Sequence, residues 1–216
     1  MAEAEGPPRF DAAFGARFRD LVLWRRDVRR FRRDPVDADL MLSLLELASR
    51  APSVGHSQPW RFVLVEAAER RAAVRASFER ANSQALEGYC GEERSRYVRL
   101  KLAGLDAAPV QLAVFADETT EVGAGLGRQT MPETLRYSVV GAIHTLWLAA
   151  RAEGLGLGWI SILEPDVVTK ALDVPGGWTL IAYLCIGWPE EEHLEPELVR
   201  HGWQERISVS NLIVRR

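Results

Sequence analysis

Residues 133–153, ETLRYSVVGAIHTLWLAARAE, are apolar almost all the way round a helical wheel: Leu135, Val139, Val140, Ile143, Leu146, Trp147 and Ala150 leave no continuous polar stripe. A helix without a wet face must be covered on every side, so it belongs in a core or at a subunit interface. At 216 residues the chain is long enough to build such a core.

Helical and strand periodicities alternate around this segment. A first helix is predicted from about Gly15 to Trp24. Asp37 suits an N-cap for ADLMLSLLELASRA, in which Leu40, Met41, Leu44, Leu45 and Ala48 share a face and Pro52 sets the end. RFVLVE (61–66) reads as a strand, residues 67–86 as an exposed helix, and GEERSRYVRLKLAGL as a helix opening on acids suited to its N-terminus. PVQLAVFAD (109–117) is a buried strand and EVGAGLGRQTMP a glycine-rich loop. LGWISIL (157–163) and WTLIAYLCIGW (178–188) are further strands around a short helix near 166–172, and the terminal RISVSNLIVRR has strand character. With no internal repeat and no interdomain linker, the expectation is a single α+β domain over 1–216. Its first twelve residues read as a mobile tail, broken by Gly6, Pro7 and Pro8.

Several function classes find no support. A formal net charge of -3 gives no global field to draw the chain to nucleic acid or a membrane. No 18 apolar residues run together, and the opening MAEAEGPPRF lacks the apolar run of a secretory leader, so a reducing cytoplasm is expected. Cys90 and Cys185 form neither a disulfide framework nor a zinc spacing, and Cys185 reads as an inert core thiol. His56, His144, His193 and His201 lack metal-ligand spacing, so no metal is expected and His144 reads as a core histidine. No G-x-S-x-G elbow is present. Neither Gly154–Gly158 nor Gly123–Gly127 completes a dinucleotide fingerprint; the first reads as a helix C-cap turn, the second as a flexible loop.

Chemistry concentrates in two stretches. WRRDVRRFRRDP carries six arginines between Arg25 and Arg33, with Asp27 among them. Arginine suits bidentate phosphate contacts. Arg30, Arg32 and Arg33 read as a solvated basic face, whereas Arg25, Arg26 and Arg29 follow an apolar helix beside Phe31. Asp27 reads either as their salt-bridge partner or, between guanidinium groups and an apolar ligand, as an acid poised for proton transfer. APSVGHSQPWRF (51–62) reads equally as a polar turn or as a ligand loop presenting Ser53, Ser57 and Gln58; His56 and Ser57 receive no role.

Taken in order, RRDVRRF, APSVGHSQPWRF, GLGLGWISIL and RISVSNLIV resemble the FMN-dependent nitroreductase superfamily from about Arg25 to Val214. Asp27, where ordinary members usually carry serine, resembles a flavin-consuming branch, as do SRYVRLKLAGLDAAPVQLAVFAD, TLRYSVVGAIHTLWLAARAEGLGLGWISIL and HGWQERI. The resemblance implies a nitroreductase-like α+β fold, with a mixed, mostly antiparallel sheet flanked by helices. It also implies an intertwined homodimer with C-terminal strand exchange and two FMN sites at the interface. Arg25, Arg26, Asp27, Val28 and Arg29 would line the flavin, the arginines at its phosphate and ribityl end with help from Arg206. Ser53 would approach from the neighbouring subunit, Leu100 would close over the ring, and Ser161 would lie against it. In that branch reduced FMN, delivered by a separate flavin reductase, is itself the substrate and dioxygen the co-substrate. The ring becomes 5,6-dimethylbenzimidazole, the lower ligand of vitamin B12, and ribityl carbons leave partly as erythrose 4-phosphate. The resemblance casts Asp27 as proton acceptor and Ser161 as the group orienting the oxygenated flavin. Two alternatives stand beside it: a conventional nitroreductase cycling FMN with NAD(P)H, and a non-catalytic flavin-binding protein.

Overall fold

The computed structural model describes residues 6–100 and 103–216. The expected tail therefore lies partly outside the described residues; from Gly6 to Asp11 the chain is exposed and non-helical. Helix α1 (Ala12–Trp24) starts three residues earlier than predicted, because the Asp11 carboxylate accepts the Phe14 N–H at 2.7 Å. Asp37 caps α2 (Ala38–Ala48) through the N–H groups of Asp39 and Leu40, satisfying two of the donors a helix start leaves unpaired. Strand β1 (Trp60–Leu64), α3 (Ala68–Glu87), α4 (Gly91–Arg99) and β2 (Val110–Asp117) follow. The long α5 (Thr134–Ala152) leads to β3 (Gly156–Ile160), α6 (Pro165–Leu172), β4 (Trp178–Gly187) and the short α7 (Glu197–Arg200). No helix among the described residues is long and apolar enough to cross a membrane.

The four strands form one antiparallel sheet in the order β1-β2-β4-β3. Its two central strands are buried on both faces and alternate with the period of two that a pleated strand imposes. Leu112, Val114 and Ala116 of β2, with Ala182, Leu184 and Ile186 of β4, meet Met41, Leu44 and Ala48 of α2 and Val139, Ile143 and Leu146 of α5. On the opposite face Ala113, Phe115, Tyr183 and Cys185 meet Val74, Val168 and Leu172, together with Phe31 and Leu105. Each large side chain so buried contributes about 1.5–3 kcal/mol. Burial also pushes the Cys185 thiol up to about 12, which makes it the inert core thiol expected.

Two expectations need correction. RISVSNLIVRR forms no strand among the described residues; it is irregular apart from a short 3-10 turn at Val209–Leu212, with Ile207, Val209, Leu212, Ile213 and Val214 exposed. An extended segment needs a neighbour to take its N–H and C=O groups, and no such neighbour lies among the described residues. His144 is exposed rather than core, on the same side of α5 as Tyr137 and Val140, which are 58% and 41% exposed. The core claims only one face of α5, leaving the other for the interface alternative.

One polar pair sits inside the second cluster. Tyr183, fully buried, donates to the Gln111 side-chain oxygen at 2.7 Å, and the Gln111 amide donates to the Leu105 carbonyl at 3.0 Å. Tyr183→Phe leaves that oxygen unpaired away from water, so it is expected to destabilise the protein by about 1–3 kcal/mol, read from a shifted urea midpoint at unchanged slope.

Candidate functional site

After Trp24 the chain leaves the helix in an extended conformation and becomes a strap along the open edge of β3. The Val28 N–H donates to the Leu157 carbonyl at 3.0 Å, and Asp27 pairs with Leu157 in a parallel bridge. Further on, Phe31 bridges Pro189, while the Arg32 N–H reaches the Trp188 carbonyl at 2.8 Å. Two glycines admit the strap. A Cβ on Gly158 would lie 2.1 Å from the Val28 carbonyl oxygen, and one on Gly156 would meet the Val28 side chain at 2.7 Å. Only Gly154, at φ +79°, serves the C-cap turn read from the sequence. Glycine at alternate strand positions was the overlooked signal, since it marks one face where another backbone comes close.

The strap fixes Asp27. Its Oδ1 accepts the Trp159 N–H at 2.9 Å, and its Oδ2 accepts Arg29 Nε at 2.9 Å with a second Arg29 nitrogen also at 2.9 Å. The Asp27 side chain keeps 32% of its surface exposed and Arg29 only 13%, so the pair faces a cleft rather than open solvent. Burial raises the Asp27 pKa above the ordinary aspartate value; the Arg29 charge, the Trp159 amide, the Arg29 hydrogen bond and Arg25 pull the other way.

The arginines divide by their partners. Arg30, expected on a solvated face, is half-buried and paired with Glu191 at 3.1 Å and Glu197 at 3.2 Å; Arg32 and Arg33 are exposed as expected. Arg26 donates to the carbonyls of Leu23, Arg25 and Leu194. The Arg25 guanidinium has no hydrogen-bond or ion-pair partner among the described residues and lies 4.8 Å above the Trp147 ring. Burial lowers the Arg25 pKa, Asp27 opposes this, and the nearby Arg206 charge adds to it. Arg26 is lowered by burial and by the charges of Arg25 and Arg206. Three like charges are thus gathered with no carboxylate bonded to them among the described residues. That arrangement fits a phosphate monoester, whose oxygens take in-plane guanidinium N–H bonds. The clefts on either side of the strap measure about 30 and 40 Å³, so within one chain the receptor is a surface feature.

The remaining predicted residues are spread out. Ser161 is exposed just beyond the end of β3, which stops at Ile160, and lies two residues past Trp159. Leu100 lines a cavity of about 320 Å³ with Phe78, Leu86 and Tyr97. Of the lid-like segment at 92–105, residues 101 and 102 lie outside the described residues. Its end returns to the strap, where a Cβ on Gly104 would lie 2.3 Å from the Phe31 ring and 3.4 Å from the Arg29 carbonyl. Ser53 is not brought to the strap. Its hydroxyl accepts the Gln58 N–H at 3.0 Å, and the next residue, Val54, donates to Ser138 near the start of α5. Trp147, beneath Arg25, is about 14 Å further along that helix at 1.5 Å per residue. Trp147 and Trp159 were missed as site residues, because nothing in an apolar run distinguishes a core tryptophan from one that supports an arginine.

The chain belongs to the nitroreductase family, whose profile matches residues 22–188. More narrowly, it is similar to a 5,6-dimethylbenzimidazole synthase of Rhodospirillum rubrum, at 58% identity over 199 residues, covering 92% of this chain and 94% of that protein. A second such synthase, from Rhodobacter capsulatus, is 48% identical over 188 residues, covering 87% and 91%. Among solved structures, oxidized iodotyrosine deiodinase bound to FMN and 3-iodo-L-tyrosine matches with a TM-score of 0.68 at 26% identity, over 82% of this chain and 91% of that one. The nitroreductase-like fold expected from the sequence is the one observed.

Gly158→Ala is expected to push the strap off β3 and free Asp27 from the Trp159 amide. Hydrogen exchange should then quicken at the Val28 and Trp159 amides while amides at the centre of β2 keep their protection.

Proposed function

We propose that this protein is an oxidoreductase that converts reduced FMN and dioxygen to 5,6-dimethylbenzimidazole. The observation carrying this reading is the half-buried Asp27 carboxylate, fixed by Arg29 and the Trp159 amide beside Arg25, Arg26 and Arg206, which no carboxylate among the described residues bonds. An ordinary flavin site needs the cations; a site that breaks the ribityl chain also needs a base beside them. Similarity to the Rhodospirillum rubrum synthase over nearly the whole chain supports the same choice.

Bound reduced FMN supplies the reactivity toward dioxygen, and its carbons leave as 5,6-dimethylbenzimidazole and partly as erythrose 4-phosphate. The protein positions and protonates. Arg25, Arg26 and Arg206 hold the phosphate, and Val28 lines the ribityl chain. Asp27 accepts a proton near ribityl C1′, its affinity for a proton raised by burial while the Arg29 charge opposes that rise. Ser161 orients the ring from the end of β3, and Leu100 keeps water away. No metal takes part. The setting is the reducing cytoplasm, where a separate flavin reductase supplies the reduced flavin.

The working unit is an intertwined homodimer. The strap closes the β3 edge of the sheet, whereas β1 ends the sheet on the other side with Leu64 46% exposed. An open edge invites another strand, and the exposed terminal residues Ile207, Val209, Leu212 and Val214 supply one from the partner. The ridge of Phe10, just before α1, with Phe14 and Phe18 on α1 and Tyr137 and Val140 on α5, is covered at the same time. Ser53, remote from the strap in its own chain, then serves the flavin of the neighbouring subunit.

Aerobic incubation with FMN and an external flavin reductase, followed by chromatography, is expected to yield 5,6-dimethylbenzimidazole. Asp27→Asn should bind FMN and yield none. Product from the variant at the normal level removes Asp27 from the chemistry, and rapid NAD(P)H oxidation without the reductase turns the assignment to a conventional nitroreductase. Deleting residues 205–216 is expected to shift the sedimentation coefficient from dimer to monomer; an unchanged dimer excludes strand exchange.

A further inference from the structure

Trp147 combines three contacts. Its ring lies 4.8 Å beneath the Arg25 guanidinium, its indole N–H donates to the Arg26 carbonyl at 3.1 Å, and its edge packs at 6.5 Å against Trp159. The N–H bond ties the orientation of the ring to the residue next to Arg25, so support and supported group are set together. Arg25 needs such support. The charges of Arg26 and Arg206 push it away while Asp27 attracts it, and no acceptor among the described residues holds its side-chain donors. A cation–π contact engages the face of a guanidinium and leaves the N–H groups in its plane free. The cluster thus contains one cation whose guanidinium rests over a ring and whose side-chain donors meet no acceptor among the described residues.

We infer that Trp147 is a positioning residue that makes this site selective for a flavin bearing a phosphate over the same flavin without one. The inference rests on the flavin reading above and adds to it the residue that sets the choice. Removing the indole lets Arg25 swing into solvent, so a ligand with a phosphate loses affinity and one without does not. A tryptophan that only filled space would weaken both ligands alike.

The test is titration of flavin fluorescence with FMN and riboflavin against the wild type, Trp147→Leu and Trp147→Phe. Wild type is expected to favour FMN. Trp147→Leu should weaken FMN about tenfold while riboflavin stays within about twofold. Trp147→Phe, which keeps a ring but not the N–H, should fall between and answers the question if the leucine variant does not fold. Equal weakening of both flavins, or none, overturns the inference. Failure of the wider reading looks different: wild type then binds neither flavin, or binds FMN without forming 5,6-dimethylbenzimidazole. In the second case the FMN-to-riboflavin ratio still decides for or against Trp147.

Discussion

The site hangs on a backbone-to-backbone approach between the strap and β3. One conventional ladder bond, from the Val28 N–H to the Leu157 carbonyl, holds it, and the next donor along β3, the Trp159 N–H, is taken by the Asp27 side chain instead of a main-chain oxygen. A carboxylate therefore completes the edge of the sheet. Its position is set as tightly as a strand's, which a loop-borne acid could not match. The approach requires Gly156 and Gly158, and each glycine in a strand gives up about 0.5–1 kcal/mol relative to alanine. That stability is exchanged for geometry.

Charge is sorted along the strap with the same economy. Arg29 is matched to Asp27, Arg30 to Glu191 and Glu197, and Arg26 to three carbonyls. The Arg25 guanidinium has no such partner among the described residues, and Arg206 approaches it from the terminal segment. The glutamate-rich 190–197 region, polar and unremarkable in composition, neutralises one arginine of the run and leaves its neighbours exposed to a ligand. A dense basic stretch thus resolves into structural and receptive members, distinguishable only by what surrounds them.

The sequence read well wherever a single element carried the information. The Asp37 cap, the buried β2 and β4, the helix at 134–152 and the inert Cys185 all depend on periodicity or on neighbours one turn away. It read poorly wherever the deciding partner is distant. His144 looks buried in an apolar run, yet the turn of the helix puts it outward. Arg30 gives no local hint of Glu191, and Gly156 and Gly158 resemble a turn until Val28 is laid against them. The terminal segment has the composition of a strand and lacks a neighbour in its own chain. The run from Arg25 to Arg29 stood out as a candidate because a charged run broken by one acid is locally unusual. Trp147 and Trp159 were not, because their role exists only once α5, β3 and the strap come together.

The clustered cations around Arg25 also bear on how long the folded protein lasts. Holding like charges together taxes the native state and not the extended chain, so any oxyanion that settles among them relieves a burden specific to the folded form. At a ligand concentration a hundredfold above its dissociation constant this linkage is worth about 2.7 kcal/mol. The ligand-starved protein is consequently the fragile one, and its survival against heat and proteases follows the flavin supply of its surroundings.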